Sequence, residues 1–135
     1  MSLAIGQKAT RSLTLTSDHV KMFAELTGDY NPLHFDEEFT AKTKFGKLVV
    51  QGGLITGILN ALVGMDIPGP GTVFMSQELK FIAPVYIGDT ITGEVEVLGT
   101  HDTKPVTHLR VKVSRQTGNT VLEGKATCYT FTPGG

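Results

Sequence analysis

Leu48-Val49-Val50-Gln51-Gly52-Gly53-Leu54-Ile55-Thr56-Gly57-Ile58-Leu59-Asn60-Ala61-Leu62-Val63-Gly64-Met65 runs without a single charged residue. Leu54, Ile55, Ile58, Leu59, Leu62 and Val63 cover most of the circumference of a helix starting near Gly52. Little of that helix is expected to face water. The uncharged run is long enough to be tested as a membrane span. Gln51, Asn60 and the glycines at 52, 53, 57 and 64 argue against it. Its first residues also read as a loop entering the helix, which leaves the helix too short to cross a bilayer. The reading is a core helix that other structure must enclose. Gly57 would let a sheet approach its backbone closely.

Downstream, Pro68-Gly69-Pro70-Gly71 makes a turn and the texture changes to strands. Thr72 to Ile82 is the first. Over Thr90 to Leu98, Ile91, Val95 and Val97 alternate with Thr92, Glu94 and Glu96. Leu109, Val111 and Val113 alternate in the same way with His108, Arg110 and Lys112. Gly118-Asn119 reads as a two-residue hairpin turn, and Val121 to Phe131 completes the sheet. Gly124, Ala126 and Cys128 give that last strand a small-residue face suited to close helix contact.

Upstream, Ala9 to Thr16 is a weakly patterned strand. Ser17 offers an N-cap oxygen, and Val20, Phe23 and Ala24 carry a helix to Gly28. Asp29 to Asp36 is a Pro-containing loop. A short helix follows from Glu37 to about Lys44, with Asp36 as its cap. Strand, helix, loop, apolar helix and then four or more antiparallel strands define an α+β class. Its antiparallel sheet wraps around a central apolar helix.

The bulk properties narrow the function classes. The 135 residues fit one domain, 1–135. Lys and Arg (12) nearly balance Asp and Glu (13), so the basic footprint of a nucleic-acid binder is missing. Cys128 is the only cysteine, which excludes an intramolecular disulfide and a Cys-based metal site. His19, His101 and His108 show no metal-ligand spacing and are expected at the surface. Nucleophile elbow, phosphate loop and dinucleotide fingerprint are all absent from the sequence. Met1 to Arg11 lacks the apolar run of a secretory signal, so a reducing cytoplasm is the expected location.

Two stretches carry chemistry. In Thr27-Gly28-Asp29-Tyr30-Asn31-Pro32-Leu33-His34-Phe35-Asp36, Pro32 restricts Asn31 to extended or turn geometry and makes a bend. A bend brings the Asp29 carboxylate and the His34 imidazole together. Such a pair can hold a water, take one of its protons and return a proton elsewhere, with no cofactor. In Val50-Gln51-Gly52-Gly53-Leu54, two glycines at a helix start leave backbone N–H groups open to a ligand. That suits a carbonyl oxygen that gains negative charge. The competing readings are a side-chain turn for the first stretch and a tight turn for the second.

The run Phe23 to Asp36, with its T-G-D-Y-N-P-L-H-F-D core, resembles the hydratase motif of MaoC-like, R-specific enoyl-coenzyme A hydratases. Val50 to Leu54, the P-G-P-G-T turn and Phe81 to Thr90 agree in the right order, so the resemblance covers nearly the whole chain. It implies a hot-dog fold and syn addition of water to a trans-2-enoyl thioester. It also implies that Asp29 and His34 are the catalytic dyad and that Asn31 fixes the loop. Gly52, with Gly53 beside it, would bind the thioester carbonyl. The family often has His-Gly-Met where this chain has Gln51-Gly52-Gly53, which puts the shape of the neighbouring pocket in question. The resemblance further implies an acyl-CoA substrate, with acyl carrier protein as the nearest substitute carrier. It implies a homodimer, or a higher oligomer of dimers, joined sheet edge to sheet edge. A hot-dog thioesterase and a non-catalytic thioester-binding module are the rival readings.

Overall fold

A computed structural model describes residues 3–134. Strands β1 (Lys8–Thr14), β2 (Thr72–Phe81), β3 (Thr90–Thr100), β4 (Val106–Arg115) and β5 (Thr120–Thr130) form one antiparallel sheet. Their order across the sheet is β1-β3-β4-β5-β2. All four α-helices fall between β1 and β2: α1 (Ser17–Thr27), α2 (Pro32–Phe35), α3 (Glu37–Ala41) and α4 (Gly52–Ala61). Helix α4 runs into a π-helical turn, Leu62–Asp66, closed by the Ile67 N–H donating to the Leu62 carbonyl. The α+β expectation holds, in the hot-dog arrangement of a sheet curled around α4. No helix among the described residues is long and apolar enough to cross a membrane.

The register separates the two faces of the sheet. On the inner face Ala9, Val95, Val111, Gly124 and Leu79 form one row across the strands, and Val97 pairs with Leu109, which pairs with Ala126. Ile55, Ile58, Leu59, Leu62 and Val63 pack into this face as the other half of the core. On the outer face the matching row reads Lys8, Glu96, Arg110, Lys125 and Glu78. Period-2 alternation in β3 and β4 is the direct imprint of this division. Strand β1 reads weakly because it is an edge strand, exposed at most positions.

Several local expectations need correction. The close helix contact falls on β3, not on the small face of β5. A Cβ at Gly93 would lie 2.9 Å from Ile58 Cγ2 and 3.0 Å from Leu62 Cδ1. Gly124 instead lies against the β2 backbone, where a Cβ would sit 3.0 Å from the Leu79 Cα. Gly57, expected under a sheet, faces open space with nothing within 4 Å of a Cβ there. The β4–β5 turn is not the Gly118-Asn119 dipeptide. Arg115 and Asn119 close the hairpin, the Gly118 N–H donates to the Arg115 carbonyl, and Gly118 takes the left-handed conformation at φ 89°. That is the longer loop, in which glycine follows the turn instead of opening it. The cap of α1 is Thr16 and not Ser17. Thr16 Oγ1 accepts from the His19 N–H while His19 Nδ1 accepts from the Thr16 N–H. Helix α3 stops at Ala41, short of Lys44, with Asp36 Oδ1 accepting from the Phe39 N–H as its cap. Cys128 lies in the core, and burial pushes its thiol up to about 11.

Candidate active site

The segment expected as a loop contains a helical turn. Asn31 caps α2: its Oδ1 accepts from the Leu33 N–H, and Pro32 occupies the first turn, where a missing N–H costs nothing. Asn31 therefore positions the segment that carries His34. Asp29 is held from both sides. Its N–H donates to Thr27 Oγ1 at 3.2 Å, and its Oδ1 accepts from the Asn31 N–H at 3.3 Å. Helix α2 turns His34 back toward it. The bend anticipated around Pro32 is real, and it brings His34 Nε2 within 3.7 Å of Asp29 Oδ2.

The tautomer of His34 follows from its other nitrogen. Nδ1 lies 2.7 Å from the Val49 carbonyl oxygen. A carbonyl only accepts, so Nδ1 carries the proton and the Nε2 lone pair of the neutral ring faces Asp29. His34 is buried, whereas the Asp29 side chain is 43% exposed. Two acceptors 3.7 Å apart do not bond each other. They suit a molecule with two O–H donors, which a water is.

Val49 joins this dyad to the second stretch. Its N–H donates to the Leu33 carbonyl, so α2 and the chain entering α4 are laced from both sides. Three residues on, α4 begins with Gln51 in the cap position, whose side chain makes no capping bond. Among the described residues the Gly52 and Gly53 N–H groups find no acceptor. Gln51 is buried and donates from Nε2 to the Val20 carbonyl at 2.9 Å, tying α4 to α1, while its Oε1 stays unpartnered.

Gly52 opens onto a cavity of about 340 Å³ walled by Val49, Val50, Ile55, Phe81, Ile82 and Val85, with Lys44 at its polar side. The dyad is not in that wall. His34 lines a separate recess of about 230 Å³ with Val20, Leu48 and Ile87. The structure thus brings Asp29 to His34, and connects His34 to the Gly52 cavity through Val49. The larger hollow of about 580 Å³ between Pro68, Pro105 and Thr130 holds no acid–base pair.

The Phe81 to Thr90 stretch earns its place structurally. Asp89 accepts from Arg115 at 2.8 and 3.2 Å, from Gln116 Nε2 at 2.8 Å and from the Tyr86 N–H at 2.8 Å. Burial disfavours its charge, but hydrogen bonds from Arg115, Gln116 and Tyr86 outweigh that and hold its pKa below the usual carboxylate value. This knot pins the end of the 82–88 wall segment to the β4–β5 hairpin.

The sequence matches the family described as MaoC like domain over residues 2–119. The chain belongs to the MaoC-like family. It is 38% identical over 125 residues to an (R)-specific enoyl-CoA hydratase of Aeromonas caviae, covering 93% of each chain. It is 36% identical to a mitochondrial 3-hydroxyacyl-[acyl-carrier-protein] dehydratase of Arabidopsis thaliana, covering 76% of this chain and 60% of that one. Among solved structures, an (R)-hydratase from A. caviae involved in PHA biosynthesis superposes with a TM-score of 0.92 at 37% identity, covering 96% and 98% of the two chains. These relatives are hydratases and dehydratases, and this MaoC-like chain is a hydro-lyase.

Two contributors escaped the sequence reading. The Val49 carbonyl orients His34, and a backbone group leaves no side-chain signature. Thr27 holds the Asp29 N–H while donating its own hydroxyl to the Phe23 carbonyl at 2.7 Å. Its position just before the helix-ending Gly28 was the available signal.

Proposed function

We propose that this chain hydrates trans-2-enoyl-CoA thioesters to the (3R)-hydroxyacyl products, and catalyses the reverse dehydration, through Asp29 and His34. The observation that carries the reading is the contact of His34 Nδ1 with the Val49 carbonyl oxygen, which in the neutral ring leaves Nε2 open 3.7 Å from Asp29 Oδ2. A water donates one O–H to each. Its oxygen bonds to C3 while the dyad takes a proton. The C2–C3 π electrons move into C1–C2, and the carbonyl π pair moves onto oxygen. The Gly52 N–H at the start of α4 stabilises that oxygen, a contribution worth roughly 10²–10³ in rate. Collapse of the enolate takes a proton from the dyad to C2. One dyad on one face makes the addition syn. Both groups contact the same water, so neither alone is named the base. Coenzyme A enters as part of the substrate, and the route uses protein groups alone.

The relatives that act on acyl-carrier-protein thioesters support a second reading with the same chemistry on another carrier. The unpaired edge of β2 supports assembly with a second copy. Val73, Met75 and Phe81 are 50%, 60% and 56% exposed there, and Phe81 belongs to the Gly52 cavity wall. Sedimentation at micromolar concentration reads that assembly directly. The expected site is cytoplasmic.

The test of the dyad pairs turnover with folding. Asp29→Asn and His34→Ala are each expected to lower kcat by at least ~10² with melting near the parent's. Near-parent turnover in either variant removes that residue from the mechanism. Chiral analysis of the product is the companion measurement, and an S product contradicts the assignment. Thiol release without loss of the enoyl absorbance points to the thioesterase instead.

A further inference from the structure

The segment joining α3 to the cavity is Lys42-Thr43-Lys44-Phe45-Gly46-Lys47, three lysines with no acid among them. All three are exposed, and the ion pairs among the described residues leave them without a carboxylate partner. Lys44 and Phe45 line the cavity that opens at Gly52, and the facing wall, Phe81 to Val85, carries no charge. Lys47 has a fixed place. Its Nζ lies 4.5 Å from the centre of the Tyr86 ring, and Tyr86 pairs through its backbone with Val49. The local positive charge therefore stands at the mouth of the cavity, in a chain whose formal net charge is -1.

A thioester bound with its carbonyl at Gly52 has to place C3 beside the water held by Asp29 and His34, and its pantetheine arm then leaves through the open side of the Gly52 cavity, where Lys44 stands. That arm ends in phosphate on either carrier. We propose that Lys44 and Lys47 bind the phosphate groups carried beyond the pantetheine arm and so anchor the carrier at the cavity mouth. This rests on the hydratase reading. Two partly hydrated ammonium groups suit the oxygens of a phosphodiester or a pyrophosphate, and their exposure makes the attraction sensitive to salt.

The experiment compares the parent with Lys44→Ala, Lys47→Ala and the double variant on three 2-butenoyl thioesters. These are the phosphate-free pantetheine thioester, the CoA thioester and the thioester of acyl carrier protein. For the double variant, kcat/KM on the CoA thioester is expected to fall about 5- to 20-fold, two exposed ion pairs near the top of their range. The loss sits in KM, with kcat retained, and the pantetheine thioester shows no loss. Added salt lowers parental kcat/KM on CoA but not on pantetheine. Loss on both carriers assigns the lysines to the shared phosphate, and loss on CoA alone assigns them to the nucleotide phosphates. Equal loss on the phosphate-free thioester overturns the proposal, as does loss on neither phosphorylated substrate. Loss on acyl carrier protein alone also overturns it, in favour of a protein surface. A parent active on pantetheine keeps the hydratase reading alive whatever the lysines do. A parent inactive on all three thioesters brings down both.

Discussion

Helix α4 and the π-helical turn that continues it carry four glycines, and the two ends of this run use them for opposite reasons. At the N-terminal end the missing side chains are filled by rings. A Cβ at Gly52 would lie 2.9 Å from Phe81 Cε1, and one at Gly53 would lie 2.6 Å from Phe23 Cζ. Further along, Gly57 and, in the π-helical turn, Gly64 have nothing within 4 Å of a Cβ. Rings approach the first pair closely, the exposed Phe81 at Gly52 and the half-buried Phe23 at Gly53, and the second pair is merely tolerated. Glycine in a helix interior costs about 0.5–1 kcal/mol relative to alanine, and only at the first pair does a contact in this chain require it. Two aromatic rings, from α1 and β2, close around the helix start and leave its N–H groups open.

The comparison is sharpest in turnover at Gly52. A valine there places methyl groups where the proposed mechanism docks the thioester carbonyl, and drives Phe81 aside. Phe81 is 56% exposed at the end of an edge strand, so its ring has room to move. Gly52→Val is therefore expected to lower kcat/KM by at least ~10², the scale of a lost oxyanion donor, with a much smaller change in melting temperature. Normal turnover in a folded variant moves the oxyanion site elsewhere. If the variant melts early, the Phe81→Leu background relieves the ring contact, and turnover is read there.

Gly53 tests packing. Its Cβ would strike the Phe23 ring, which is half-buried between α1 and the start of α4. Gly53→Ala is expected to lose about 1–3 kcal/mol in chemical denaturation, as overpacked sites do. Phe23→Leu should recover part of that loss when combined with it, so the double-mutant cycle shows a favourable coupling. Additive effects break the claim that Phe23 is what compels Gly53.

How much of this was legible in the sequence depended on which physical signal carried each element. Helix α4 and strands β3 and β4 announce themselves because burial on one face repeats at a fixed period. The approach of Asp29 to His34 was legible because Pro32 interrupts the segment between them, whereas their chemical role rests on the motif. Helix α2 was missed because one turn is too short to show a period. His19, read as a surface residue, closes the cap of α1 because its ring reaches the Thr16 N–H. The glycines were least legible. Gly57, Gly93 and Gly124 look alike in sequence, but Gly57 faces open space, Gly93 meets a helix and Gly124 meets a strand. A glycine records only that a side chain is missing, and the neighbour that excludes it is fixed by tertiary structure.

Gly57 gives the smallest effect and the cleanest break. Among the described residues nothing beyond the helix's own backbone lies within 4 Å of a methyl group there, so Gly57→Ala should only remove the backbone entropy penalty of a helical glycine. The expected result is a gain of about 0.5–1 kcal/mol in urea denaturation, with kcat and KM unchanged. Thr56, Asn60 and Ala61 border the same strip, and none is buried. If Gly57→Ala destabilises the protein, some other surface covers this strip in solution, and Gly57 joins the compelled glycines. Measuring the midpoint at two protein concentrations identifies that surface. A loss that grows on dilution means a second copy lies on α4, and one independent of concentration means the helix packs more tightly within its own chain.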